Sequence, residues 1–139
     1  MRIILVEDDK NAKELAGSLR GKGHEVLWTS NVADAEWYIN ENKDDQSFDA
    51  IILDLNLNAN FLDISLRSKC HQKSVGWIFY ENVLKKINHY LFEHTIFYTG
   101  YPDVYRRDYG EKADELRYVF KNDPNASKKI DDLLMELSK

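Results

Sequence analysis

The stretch 49–54, with the sequence DAIILD, constrains the fold of this chain more than any other. At its centre, residues Ala50 to Leu53 form a short apolar run, largely β-branched, with an acidic residue on either side. Such a run is typical of a strand buried on both faces, as in parallel sheets that helices cover. Ligands of open parallel sheets bind beyond the carboxyl ends of the strands, so we expect Asp54 to face a functional crevice.

Four further apolar segments predict additional strands. They are residues 2–6 (RIILV), 24–29 (HEVLWT), 95–98 (TIFY) and 116–120 (LRYVF). Segments with helical spacing of apolar residues separate the strands, and this alternation is typical of parallel βαβ units with right-handed crossovers. Five helices are predicted, at residues 11–22, 31–39, 75–92, 103–113 and from about 125 to the end.

The second predicted helix illustrates how its boundaries and faces are assigned. Ser30 or Asn31 provides the cap, and Ala33, Trp37 and Tyr38 form its apolar side. A polar loop at residues 40–47 follows it. The tryptophans of the chain are expected to lie in the core.

Composition limits the class of protein. The chain of 139 residues, residues 1–139, is expected to form one domain. Cys70 is the only cysteine, which excludes an intrachain disulfide and favours a reducing, cytoplasmic setting. No apolar run is long enough to span a bilayer, and the N-terminus lacks a signal-peptide pattern. The net charge of −5 argues against nucleic acid as the main partner.

Polar residues follow the predicted strands at one edge of the sheet. In chain order they are Glu7, Asp8, Asp9, Asp54, Thr99 and Lys121. Clustered carboxylates repel one another and favour Mg²⁺, which prefers oxygen ligands. A lysine and a hydroxyl are suitable donors for phosphoryl oxygens. The set therefore predicts an aspartate that acts as a nucleophile toward phosphorus, with Mg²⁺ and the lysine neutralising the transferred group.

The ordered motifs IILVEDD, IILDL, YTG and YVFK resemble the receiver domain of two-component response regulators, over essentially the whole chain. The resemblance implies an α/β, doubly wound, flavodoxin-like fold with a five-stranded parallel sheet in the order 2-1-3-4-5. It implies that a histidine kinase or phosphotransfer protein donates a phosphoryl group to an aspartate. The resulting phosphoaspartate is then hydrolysed slowly. The implied output is a change in the face of the fourth helix, fifth strand and fifth helix, which contacts a downstream protein or a second copy.

The same resemblance assigns the residues that bind metal and accept the phosphoryl group. Asp54 would be the phospho-acceptor. Asp8 would contact Mg²⁺, or Mn²⁺ in its place, directly, and Glu7 would contact it through water. Asp54 and the backbone carbonyl of Asn56 would complete the protein ligands. Asp9 receives no ligand role.

Further roles follow from the same resemblance. Thr99 and Lys121 would hold phosphoryl oxygens, and Thr99 and Tyr118 would be the residues that switch on activation. Asn56 and Tyr101 would tune the lifetime of the phosphoryl group, because a bulky Tyr101 hinders the attacking water.

Three departures from the family pattern are visible. The proline usual after the phospho-acceptor is replaced by Leu57-Asn58. The lysine is followed by Asn122 instead of proline, and a cis bond at that point would cost about 3–4 kcal/mol. An insertion at about residues 57–75 separates the third strand from Gly76, which resembles the family's glycine before the third helix.

The insertion is basic and predicted to be irregular. It contains Arg67, Lys69, His71 and Lys73 against Asp63 as its acidic residue. Two interpretations stay open: a basic flap over the acidic site, or a mobile surface loop.

Two other functions stay open at this point. One is a degenerate receiver that acts as an interaction module without phosphorylation. The other is a Mg²⁺-dependent phosphatase with an aspartyl nucleophile. That class usually has a second acid two residues after the nucleophile, and Asn56 at this position argues against it. No output domain is expected after residue 139, so a stand-alone regulator and the receiver part of a longer protein are both compatible with the sequence.

Overall fold

A five-stranded parallel sheet in the order β2-β1-β3-β4-β5 forms the centre of the protein. The computed structural model describes residues 1–10, 12–42 and 47–139. The strands are β1 (Arg2–Val6), β2 (Glu25–Thr29), β3 (Ala50–Leu53), β4 (Thr95–Thr99) and β5 (Arg117–Phe120). The five predicted strands and their predicted order are confirmed. Asn11, the predicted start of the first helix, and residues 43–46 of the predicted loop lie outside the described residues.

Seven α-helices occur in the described part of the chain, against five predicted. They are α1 (Ala12–Gly21), α2 (Val32–Glu41), α3 (Val75–Phe79), α4 (Lys85–Ile87), α5 (His89–Glu93), α6 (Pro102–Tyr109) and α7 (Ala126–Leu137). The predicted fourth and fifth helices are α6 and α7. None of the helices in these described ranges is long and apolar enough to cross a bilayer.

The difference in helix number arises mainly in the predicted helix 75–92. A π-helical segment, Tyr80–Leu84, joins α3 to α4. The helix then breaks at Asn88, which has an extended backbone and a side chain that accepts a hydrogen bond from the Leu91 amide. Asn88 therefore caps a new helix, α5, because a side-chain acceptor satisfies an amide that the helix start leaves without a partner.

The two faces of the sheet carry separate cores. Ile3, Leu5 and Ile52 pack with residues of α1 and α7 on one face. Ile4 and Ile51 pack with residues of α2, α3 and α6 on the other. Alternate strand residues point to opposite faces, so a sheet covered on both faces requires the continuous apolar strands seen in the sequence. Each fully buried isoleucine contributes roughly 1.5–3 kcal/mol, and these burials fix the doubly wound arrangement.

The predicted apolar side of α2 is right at Tyr38, which packs partly buried against the core, but wrong at Trp37. Trp37 is 55% exposed, and the buried residues are Val32, Ala35 and Ile39. Both sets have helical spacing, so periodicity alone does not distinguish them. The predicted cap is confirmed, since the Asn31 side chain accepts a 2.8 Å hydrogen bond from an amide in the first turn.

The insertion is more regular than predicted. It contains a 3₁₀-helix, Ile64–His71, which begins after a cap at Asp63. Phe61 and Leu66 are buried in the core on the α2 and α3 side of the sheet. Because single apolar residues in a polar stretch have no periodicity, the sequence did not reveal that they anchor this segment.

A buried carboxylate connects the end of the insertion to α6. The side chain of Asp108 accepts hydrogen bonds from the amide of Ser74, at 3.1 Å, and from its hydroxyl. The other carboxylate oxygen of Asp108 accepts from Arg107. Asp108 is inaccessible to solvent, and these donors satisfy it, as a buried charge requires.

Candidate functional site

Parallel pairing brings the carboxyl ends of four strands, β1, β3, β4 and β5, to one edge. Val6 in β1 is level with Leu53 in β3, and the Asp54 amide donates a 3.0 Å hydrogen bond to the Val6 carbonyl. On the other side, the Lys121 amide donates a 2.9 Å hydrogen bond to the Thr99 carbonyl. The polar residues predicted from separate strand ends therefore lie next to one another.

Three carboxylates form a cluster at this edge. Glu7, Asp8 and Asp54 each offer an oxygen, and these oxygens lie within 4.8 Å of one another. Glu7 and Asp54 are buried, whereas Asp8 is exposed. The cluster opens into a cavity of about 420 Å³ that Asp8, Asp54 and Lys121 help to line. A donor set of three carboxylate oxygens with an open side suits a hard cation that keeps some of its waters.

Lys121 lies within the carboxylate cluster. Its Nζ is 2.6 Å from Oε2 of Glu7, 3.2 Å from Oδ2 of Asp54 and 3.9 Å from Oδ2 of Asp9. The peptide bond to Asn122 is trans, as are the others in the described residues. The lysine therefore reaches the acidic cluster without the proline that usually follows it.

Burial and mutual repulsion shift the ionisation of the cluster. Burial, followed by the negative charge of Asp54, raises the pKa of Glu7 to about 8. Burial also raises the pKa of Asp54, although the charge of Lys121 opposes the shift. Burial lowers the pKa of Lys121, but its hydrogen bond to Glu7 and the charge of Asp54 outweigh this and raise it. Burial therefore disfavours the charged form of both carboxyls, whereas Lys121 favours it.

Backbone amides orient the Asp54 side chain. Its Oδ1 accepts hydrogen bonds from the amides of Leu55, at 2.8 Å, and Asn56, at 3.4 Å. Its Oδ2 faces Lys121. Both oxygens are held in place, so Asp54 is a fixed rather than a mobile group.

The predicted switch residues lie outside the cavity. Thr99 is fully buried, and its hydroxyl oxygen accepts a 3.2 Å hydrogen bond from the Tyr101 amide. Tyr118 is partly buried, and its ring centroid lies 4.7 Å from that of Tyr105 and 5.1 Å from that of Phe120. Tyr118 is thus part of an aromatic cluster between β5 and α6. The switch roles of Thr99 and Tyr118 stay predictions.

The residues predicted to tune phosphoryl lifetime do line the cavity. Asn56 and Tyr101 are both exposed, and both border the opening above Asp54. They follow the neighbouring strands β3 and β4 respectively. Their predicted effect on lifetime is untested.

Comparison with known proteins gives a clear structural result. No protein-family model matches the sequence, and a search of curated proteins gives no match. Among solved structures, a CheY-like receiver domain protein of Methanospirillum hungatei JF-1 has a TM-score of 0.68 at 17% identity, with 99% of this chain and 93% of that chain covered. The chemotaxis protein CheY4 of Vibrio cholerae has a TM-score of 0.69 at 15% identity, with 98% and 97% covered. A two-component response regulator of Clostridium difficile has a TM-score of 0.67 at 20% identity, with 100% and 99% covered.

The chain has the receiver fold. The predicted doubly wound, flavodoxin-like architecture is therefore confirmed, and so is the resemblance to receiver domains at the level of structure. The site sits where this fold brings strand ends together, which agrees with ligand binding at the carboxyl edge of open α/β sheets.

Two residues of the site in this receiver fold were not assigned to it from the sequence. Trp28, expected in the core, is 40% exposed, and its indole N–H donates a 2.7 Å hydrogen bond to the Glu7 carbonyl. The position of Trp28 near the end of the second predicted strand was the one sequence feature that indicated a place at this edge of the sheet. Gly76 lies against the backbone of Asp54, and its amide donates a 3.0 Å hydrogen bond to the Leu55 carbonyl.

Proposed function

We propose that this chain is a response-regulator receiver that accepts a phosphoryl group on Asp54 from a phosphohistidine of a histidine kinase or phosphotransfer protein. One observation carries the proposal. The carboxylates of Glu7, Asp8 and Asp54 lie within 4.8 Å of one another, with the ammonium of Lys121 3.2 Å from Asp54. This arrangement joins a nucleophile, cation ligands and a phosphate-binding cation in one open cavity.

Mg²⁺ is the cofactor we propose, with Mn²⁺ as an alternative. Glu7, Asp8 and Asp54 would hold it, and we add the backbone carbonyl of Asn56 by resemblance. The oxygens that these three carboxylates offer lie within 4.8 Å of one another, and such an all-oxygen donor set supports a divalent ion. When bound, such an ion supplies Lewis-acid stabilisation of the phosphoryl oxygens.

The chain's own residues have distinct parts in the transfer. A carboxylate oxygen of Asp54 forms a bond to phosphorus while the P–N bond to the donor imidazole breaks, and the electron pair stays on the nitrogen. Lys121 stabilises the charge on the transferred oxygens. The Thr99 hydroxyl oxygen accepts a hydrogen bond from the Tyr101 amide. The hydroxyl hydrogen of Thr99 can therefore be donated to a phosphoryl oxygen. Hydrolysis of the acyl phosphate would restore the Asp54 carboxylate.

The proposed output is the face formed by α6, β5 and α7. Thr99 is paired with Phe120 in the register of β4 and β5, and Tyr118 is paired with Phe97. A shift of Thr99 toward a phosphoryl group would therefore act directly on the strand that carries Tyr118. We propose a downstream protein or a second copy of the chain as the partner of this face.

Acetyl phosphate with Mg²⁺ tests the proposal. The intact mass should rise by one phosphoryl group in the wild-type protein and in Asp132→Ala, which removes an exposed acid on α7. Asp54→Ala should show no increase. Beryllofluoride with Mg²⁺ should change the tryptophan fluorescence, and Trp28→Phe should reduce the change, because Trp28 contacts the Glu7 carbonyl.

Other outcomes of this experiment identify the alternative functions. No response to either reagent would contradict the proposal and favour an interaction module that is independent of phosphorylation. Turnover of an added phosphomonoester would instead indicate an aspartyl phosphatase.

Tyr101→Ala should shorten the life of the phosphoryl group on Asp54. Tyr101 is 54% exposed at the edge of the cavity, and its ring limits the approach of water. We expect dephosphorylation to be roughly three- to tenfold faster, a barrier change of up to about 1.4 kcal/mol. Loss of phosphorylated protein after removal of donor, followed by mass spectrometry, measures the rate. Tyr90→Ala, which removes a similarly exposed tyrosine in α5, is the control. An equal or slower rate in Tyr101→Ala would contradict this role.

A further inference from the structure

A second cavity lies beside the one that contains Asp54. Its volume is about 260 Å³, and it is bounded by the end of the insertion and by α6. Its lining residues are Asn56, Cys70, His71, Lys73, Ser74, Tyr101, Val104 and Arg107. Asn56 and Tyr101 also line the Asp54 cavity, so the two cavities share a wall.

The polar groups of this second cavity are mainly hydrogen-bond donors, and no carboxylate from the described residues lines it. Lys73 and Arg107 carry positive charges, and His71, Asn56 and Tyr101 add groups that can donate. A lining with this composition is complementary to an anion, in contrast to the acidic cavity beside it.

The two cations are not neutralised equally. The Nζ of Lys73 lies 5.0 Å from the ring centroid of Trp77, a contact that positions the ammonium while leaving its charge available. Arg107 uses Nε and Nη2 to bind Asp108. Its side chain is nevertheless 59% exposed, whereas that of Asp108 is inaccessible, so the arginine and not the carboxylate is open to a ligand.

We propose that this basic cavity binds an anionic group, a carboxylate or a phosphate, next to the phospho-acceptor. The group belongs either to a free small molecule or to an acidic side chain of a protein docked at Asp54. An occupant contacts Asn56 and Tyr101, which line both cavities, so its binding affects access to Asp54. The proposal does not depend on phosphorylation of Asp54.

The insertion acquires a specific role from this site. Lys69 does not line the cavity, since its ammonium binds the Asn82 side chain at 3.0 Å. Arg67 is exposed on the 3₁₀-helix, outside the cavity lining. The basic residues of the insertion are thus divided, and only His71 and Lys73 of the four predicted ones line the cavity. This division provides a matched control.

Titration with inorganic phosphate, free of Mg²⁺ and followed by amide NMR shifts, tests the proposal. Without Mg²⁺ the Asp54 cavity is acidic and repels phosphate, so shifts should concentrate at His71, Lys73 and Val104, with a Kd in the millimolar range. Lys73→Gln should weaken binding by about fivefold or more, because a charge-assisted hydrogen bond is lost. Lys73→Arg should restore it, and Arg67→Gln should leave it within about twofold of wild type because Arg67 is exposed and does not line the cavity.

A second titration, with a tetraglutamate peptide, distinguishes the sources of the anion. Saturation by phosphate supports a free small-molecule ligand, and saturation by the peptide alone supports an acidic side chain of a partner. Absence of saturable shifts with both probes, or an equal loss in Arg67→Gln, would overturn the proposal. Because the phosphorylation assay uses Mg²⁺ and acetyl phosphate, failure of this site and failure of the receiver function give separate results.

Discussion

Gly76→Ala is expected to destabilise the protein by roughly 3 kcal/mol or more, at the upper end of the effect of overpacking. A Cβ at this position would lie 2.1 Å from the Asp54 carbonyl oxygen and 2.7 Å from Cα of Leu55. Both are backbone atoms, so no side chain can rotate away. The start of α3 or the backbone of Asp54 must move instead, and the proposed phosphorylation of Asp54 should fall as well. Urea unfolding monitored by circular dichroism measures the loss.

Gly17→Ala is the matched control for this prediction. Gly17 also lies in a helix, α1, and a Cβ there would meet no atom within 4 Å. Alanine is favoured over glycine in a helix interior by about 1 kcal/mol, so this variant should be slightly more stable than the wild type. If both variants were equally stable, the close contact between α3 and Asp54 would not exist in solution.

Lys121→Met is expected to reduce the rate of Asp54 phosphorylation by acetyl phosphate by about 10²–10³-fold, as for loss of a preorganised electrostatic contact. Lys121 is the cation that contacts both Glu7 and Asp54. Without it, the transferred phosphoryl oxygens lose a positive charge. The pKa values of both carboxyls should also rise, because Lys121 lowers each of them. Methionine preserves most of the side-chain volume, so the packing is largely retained.

Single-turnover mass spectrometry measures this rate. Lys128→Met, which removes an exposed lysine on α7, should react at the wild-type rate. A rate for Lys121→Met within about threefold of wild type would show that the lysine does not act on the transferred group. Circular dichroism establishes that the variant is folded.

The strands were predictable because a buried parallel strand has a simple pattern. Ala50–Leu53 is fully buried and consists only of apolar residues, so its type and limits followed from the sequence. The helices on the α2 and α3 side were harder to predict. The predicted and the observed apolar sides of α2 have the same helical spacing, so the sequence does not distinguish them. The π-helical segment Tyr80–Leu84 has no hydrophobic periodicity that sets it apart from an α-helix in the sequence.

The site was predictable to the extent that it is built from strand ends. Glu7, Asp8, Asp54 and Lys121 converge because they follow strands of one parallel sheet and the long lysine side chain reaches past β4. The contacts made by Gly76 in α3 and by Asp108 in α6 depend instead on how these helices pack after the insertion and after β4. No spacing rule links residues in separate elements, so the second cavity could not be located, although the basic character of the insertion was visible.

The buried carboxylate of Asp108 has a consequence for motion at α6. It accepts both donors of Ser74, only two residues before the glycine that packs on Asp54. Separating α6 from Ser74 would remove two hydrogen bonds to a buried carboxylate, each of which contributes about 1.5–3 kcal/mol. To shift a two-state equilibrium from 1:99 to 99:1, a ligand must favour one state by about 5.5 kcal/mol. The loss of the contact between Asp108 and Ser74 alone would offset most of that free energy. If α6 changes position, the end of the insertion at Ser74 therefore moves together with it.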